Sequence, residues 1–291
     1  MNSRVRAFAY SSLILTAIET VLGILCYIFF FDSEVGYFNS SFLTTLFVAL
    51  VTLTVIGAAV YAKFFIPEEE TDINTTPCRY TAIFPAAGYL SLSVFFGFEY
   101  FSVRSGALLN IYIAALSLIA SIYYIMKPFV VEDAKKPISA ALGFAAIATH
   151  ILVIFSTNLD YFVAVNSPIK IFTQFAGILC AVSALLEIRA IVRRPAKKMH
   201  LFITSASTLL CLVTSVTLIL AVAFGKLPFS LYTVWCFAFF GVSVYGIASL
   251  VSIATGSKNV KTCDASPEAD SESIDREYEN NGDSKDSNES F

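Results

Sequence analysis

Eight apolar runs punctuate the chain, each closed off by charge, proline or glycine. They cover about residues 7–31, 42–66, 80–101, 108–126, 138–157, 169–192, 201–224 and 229–254. A helix needs about 20 apolar residues to cross the hydrocarbon core, and every run is long enough to do so. A transmembrane barrel would instead alternate apolar and polar residues over runs of about ten, and that alternation is absent. The pattern therefore predicts an all-α, polytopic bundle of about eight spans. Pro67 and Glu68–Glu70 stop the second run, and Lys127-Pro128 stops the fourth. Pro85 lies inside the third, where a missing backbone donor predicts a kink. Arg4 and Arg6 before an apolar stretch look at first like a secretory signal. The run is too long for a signal core and no small-x-small site follows it, so it reads as a retained span.

Polar residues inside the runs fall on helical faces. Ser12, Thr16, Glu19, Gly23 and Cys26 are spaced four, three, four and three, one continuous stripe that predicts an inward-facing side of the first helix. Thr173, Gly177, Cys180, Ala184 and Glu187 form a similar face in the sixth, and Thr204, Ser207, Cys211, Thr214 and Thr217 in the seventh. Small residues of this kind let membrane helices approach closely. Three even-numbered runs exit through a basic residue and then proline; stop signals and charge bias account for those exits without an internal repeat.

Composition agrees with the pattern. Of 291 residues 57% are apolar and only 14% charged, against about 25% charged in ordinary globular chains. Charge is unevenly distributed. Up to residue 256 there are 15 basic and 12 acidic side chains; beyond it there are 4 and 10. Such an acidic, polar end cannot bury enough apolar surface to order itself, so 257–291 is expected to be a disordered tail after a membrane domain at 1–256. Aromatic residues collect at the expected outer ends of the runs, among them Tyr27, Phe31, Phe38, Tyr232 and Trp235, as interfacial belts do.

Orientation follows from the basic hairpin between the sixth and seventh runs, where Arg189, Arg193, Arg194, Lys197 and Lys198 crowd around Pro195. Short basic loops resist translocation. Placing this one in the cytoplasm puts sixteen of the nineteen basic residues inside, leaving Arg104, Lys170 and Lys226 outside. Both termini are then cytoplasmic, and the chain is expected in the cell membrane with the bilayer as its first partner.

Chemistry has few places to reside. Glu19 lies thirteen residues from both Arg6 and Asp32, about 20 Å from either end of its helix. A carboxyl at that depth faces protein or water, and marks a functional site by default. His150, thirteen residues beyond Pro137, reaches comparable depth, so a Glu19–His150 contact is one arrangement to look for. Thr16 and Gln174 complete the expected substrate or proton pathway. No phosphate-binding loop, zinc-protease motif or nucleophile elbow occurs, and no cysteine pair has metal-ligand spacing. The expectation is a protein without cofactor, metal, nucleic-acid partner or catalytic site. Two functions then compete: a small secondary transporter or permease-like protein using the intramembrane acid, or a non-catalytic scaffold, sensor or accessory subunit that takes a protein partner through its acidic tail.

Overall fold

The computed structural model describes residues 3–32, 37–39, 41–66, 79–102, 108–127, 136–159, 167–192 and 197–255. Arg193, Arg194 and the tail at 257–291 lie outside the described residues. Eight helices make up the bundle: α1 (Ser3–Phe29), α2 (Phe42–Phe65), α3 (Ile83–Ser102), α4 (Leu108–Met126), α5 (Lys136–Asn158), α6 (Pro168–Val192), α7 (Lys197–Ala223) and α8 (Leu231–Thr255). All eight are long and apolar enough to cross a membrane. Helices are the expected solution, because within lipid each backbone N–H and C=O must be satisfied inside its own segment. The chain is thus a multi-pass, all-α membrane protein.

Local chemistry sets several helix ends. Ser41 caps α2: its hydroxyl accepts from the Thr44 N–H at 3.1 Å while the Thr44 hydroxyl accepts from the Ser41 N–H at 3.2 Å, a reciprocal capping box. Between α1 and α2 a two-residue antiparallel pair, β1 (Phe31–Asp32) with β2 (Tyr37–Phe38), sets Phe31 against Phe38. Gly225, at φ +68°, turns the chain after α7, a conformation that glycine adopts without steric cost. Pro85 is the third residue of α3, directly after a 3₁₀ turn at Arg79–Ala82. There the N–H it lacks has no intrahelical acceptor to lose, so the proline opens the helix and the mid-span kink expected from the sequence is not needed.

Helices α7 and α8 form the centre, with 67% and 56% of their most apolar windows buried, whereas α2 has 17% and mostly faces outward. Close approach at the centre depends on missing side chains. A Cβ on Gly88 of α3 would lie 2.5 Å from the Ala238 Cα of α8, and one on Gly241 of α8 would lie 2.4 Å from the Phe84 carbonyl oxygen. Backbone meets backbone at this crossing, so neither glycine has room for a methyl. Several core hydroxyls bond back to their own helices: Thr16 to the Ser12 carbonyl at 2.7 Å, Thr208 to Thr204 at 2.6 Å and Thr217 to Val213 at 2.6 Å. Others cross between helices, as Ser205 of α7 does to the Ser12 hydroxyl of α1 at 2.8 Å.

Two sets of aromatics occupy different places from those the sequence suggested. Tyr27 and Phe31 are buried and pack with Phe38 and Phe47 in a ladder of rings. Trp235 and Tyr232 are buried as well. These rings glue helices together, and the interfacial reading of them is corrected. Four free cysteines, Cys26, Cys180, Cys211 and Cys236, are buried, with the Cys180 and Cys211 sulfurs 3.2 Å apart across α6 and α7.

Candidate functional site

Three polar centres stand out from the apolar interior. The first is Glu19. The α1 stripe faces inward as its spacing predicts, with Ser12, Thr16, Glu19, Gly23 and Cys26 all buried. Glu19 Oε1 accepts a hydrogen bond from the Thr54 hydroxyl on α2, while Oε2 is buried with no partner among the described residues. Thr54 also lines a groove between α1 and α2 together with Ser11, Ser12, Gly57 and Tyr61.

The second centre is His150. Its Nδ1 accepts from the Trp235 indole N–H at 3.0 Å, and its Nε2 lies 2.7 Å from the Tyr89 hydroxyl. An indole can only donate, so Nδ1 must carry a lone pair. The ring proton therefore sits on Nε2 and points to Tyr89 Oη. The imidazole is held as one neutral tautomer, because protonating Nδ1 would set N–H against N–H. Phe239 stacks on the ring at 6.0 Å and 13°, and Gly177 makes room for the indole, since a Cβ there would fall 2.4 Å from Trp235 Cζ2. α3, α5, α6 and α8 thus meet in one closed layer.

The third centre is a cavity of about 180 Å³ at the α6–α7 end of the bundle. Lys127, just after α4, and Glu187 on α6 form an ion pair at 2.6 Å. Burial opposes the Lys127 charge, but the Glu187 carboxylate beside it, aided by Tyr123, holds its pKa above the ordinary lysine value. The Tyr245 ring lies 4.3 Å from the ammonium, close enough for a cation–π contact. Ser139, Ser183, Thr204, Ser207 and Ser249 add hydroxyls to the wall, and His200 lines it too. The buried His200 Nδ1 has no partner among the described residues.

The sequence-derived site residues do not converge. Glu19 reaches Thr54, His150 reaches Tyr89 and Trp235, and Thr16 bonds its own helix. Gln174 donates to Asn158 Oδ1 at 2.9 Å, thirteen residues before Glu187 and so about 20 Å along α6 from the cavity. No hydrogen bond joins any two of these four among the described residues. Of the basic cluster, Lys197 opens α7, Lys198 follows it, and Arg189 lies on the exposed side of α6.

Part of the cavity wall was legible in the sequence: Glu187 lay on the small-residue face of the sixth run, and Thr204 and Ser207 on the hydroxyl face of the seventh. Lys127 was read only as a stop signal, and His200 was not singled out. Among the described residues no three histidine, cysteine, aspartate or glutamate side chains converge as a metal would require. No family model matches the chain, and neither a curated protein nor a solved structure matches it.

Proposed function

We propose that the chain is a small secondary transporter of the cell membrane that receives a polar solute in the cavity between α4, α5, α6, α7 and α8. In this reading the α6–α7 end and both termini face the cytoplasm, as the distribution of lysine and arginine favours. The single observation that supports it is a charged, hydroxyl-lined cavity of about 180 Å³ within a membrane bundle. Concave sites with a few convergent polar groups are the usual form of small-molecule sites. Its depth also suits a carrier. Ser139 precedes His150 by eleven residues on α5, placing the closed histidine layer about 16 Å further along the helix. A solute would enter from one side and wait below a layer that must open for passage. Glu19 supplies a separate protonatable group for coupling.

The test is uptake by proteoliposomes against a panel of small polar solutes, combined with a cysteine placed at Ser183. Saturable uptake lost in Glu187→Gln, with Ser183→Cys modified from either side of the membrane in turn, supports the carrier. Absence of uptake across the panel, with modification from one side only, sinks it. A second reading, a scaffold, sensor or accessory subunit, draws on the sparsely covered α2, whose outward apolar face suits a partner helix as well as lipid. It predicts a protein recovered by gentle detergent purification and lost when residues 257–291 or 193–198 are altered.

A further inference from the structure

We infer that the ligand of the α6–α7 cavity is a small zwitterion, one compact molecule bearing both an ammonium and a carboxylate. The inference rests on the reading of that cavity as the solute site, and it follows from how the site's own charges are arranged. Lys127 and Glu187 already neutralise each other at 2.6 Å, with side chains 20% and 11% exposed. Breaking a buried pair by taking away one partner leaves an uncompensated charge, which is strongly unfavourable. A simple cation that claimed Glu187 would strand Lys127. A simple anion that claimed Lys127 would strand Glu187. An uncharged polar solute gives neither group a reason to separate. Only a ligand carrying both charges opens the pair and replaces each partner at once.

The walls provide for both ends. Tyr245 presents its ring face to the cationic position at 4.3 Å, so it receives a ligand ammonium by the same attraction that now holds Lys127. His200 lines the cavity, its buried Nδ1 without a partner among the described residues, and the Ser183 and Ser249 hydroxyls line the same space. A neutral imidazole can accept from the ligand's ammonium or donate to its carboxylate, according to tautomer. The cavity volume of about 180 Å³ is well above the roughly 10–15 Å³ that a single water needs, so a compact molecule has room beside the pair.

Equilibrium binding tests this without reference to flux. The full chain in lipid nanodiscs is heated with glycine, alanine, β-alanine or serine, and separately with methylammonium, acetate or ethylene glycol at matched ionic strength. At least one zwitterion is expected to raise the unfolding midpoint by about 2 °C or more, and the singly charged and neutral compounds to leave it unchanged. The shift is expected to vanish in Lys127→Gln/Glu187→Gln, which removes both charges together and leaves neither one stranded. It should persist in Lys127→Glu/Glu187→Lys, where the pair is reversed. No response to any zwitterion, an equal response to methylammonium or acetate, or an undiminished response in the doubly neutral variant overturns the inference. Zwitterion binding without uptake in vesicles sinks the transporter and keeps the ligand class. Uptake of a different solute class through the cavity does the reverse.

Discussion

His150 and His200 are the chain's only histidines, and they occupy opposite surroundings. His150 is fully buried, both nitrogens are engaged, and rings of Tyr89, Trp235 and Phe239 enclose it. His200 borders a cavity beside an ion pair, and its Nδ1 has no partner among the described residues. The same side chain serves two purposes. In the first place it joins Tyr89 and Trp235 through its two nitrogens, which fixes three helices in one arrangement. In the second it lines a space that a small molecule can enter and keeps one nitrogen unpartnered among the described residues. Depth in the membrane does not distinguish function from packing here. Unused bonding capacity beside accessible volume does.

The comparison breaks first at the closed centre. His150→Ala orphans the Trp235 N–H and empties the space of an imidazole. Interhelical hydrogen bonds in membranes average about 0.6 kcal/mol each, and the void adds the larger share, so a loss of about 2–4 kcal/mol is expected. Unfolding in a denaturing detergent titration reads it. Gly177→Ala attacks the same layer from α6, by pressing a methyl into the indole 2.4 Å away; about 1–3 kcal/mol is expected from overpacking. The double variant should lose less than the sum, because an indole released from His150 can move aside. Strict additivity would show that the layer is not one unit.

His200→Ala sharpens the contrast from the other side. Nδ1 gives up no hydrogen bond seen among the described residues, so the unfolding free energy should change by about 1 kcal/mol or less. The zwitterion-induced thermal shift should nonetheless fall by at least half. A large stability loss without any change in the ligand response would make His200 a packing residue like His150 and dissolve the comparison.

How much of this the sequence discloses depends on distance along the chain. The inward face of α1 was legible, because Ser12 through Cys26 repeat at helical spacing and burial follows that period. The extent of α4, Leu108–Met126, matches the apolar run residue for residue, since charge and proline flank it. The Lys127–Glu187 pair was not legible. Its members are 60 residues apart and meet only because α4 and α6 converge at one end, which no local pattern encodes. Trp235 misled for a related reason: an aromatic near a helix end suits an interface, and only the tertiary position of α8 reveals that this one is sealed beneath Gly177. The Glu19–His150 contact failed likewise, because equal depth does not make two helices neighbours.

Glu19 stands between the two histidines in kind, and the smallest effect is expected there. It is fully buried, one oxygen accepts from Thr54, and the other has no partner among the described residues. Glutamine keeps the shape and the acceptor for Thr54, and it places an amide where an unpartnered oxygen already sits. The fold has little to lose, so Glu19→Gln should leave the unfolding free energy within about 0.5 kcal/mol of wild type. A structural acid would behave otherwise, and a loss of about 2 kcal/mol or more would move Glu19 into the company of His150. If the carboxyl exchanges protons during transport, the same substitution abolishes the pH dependence of uptake, since an amide has no proton to give or take in that range. Unchanged stability with uptake that still follows pH would leave Glu19 as a packing residue that happens to be an acid, and would return the coupling role to the cavity.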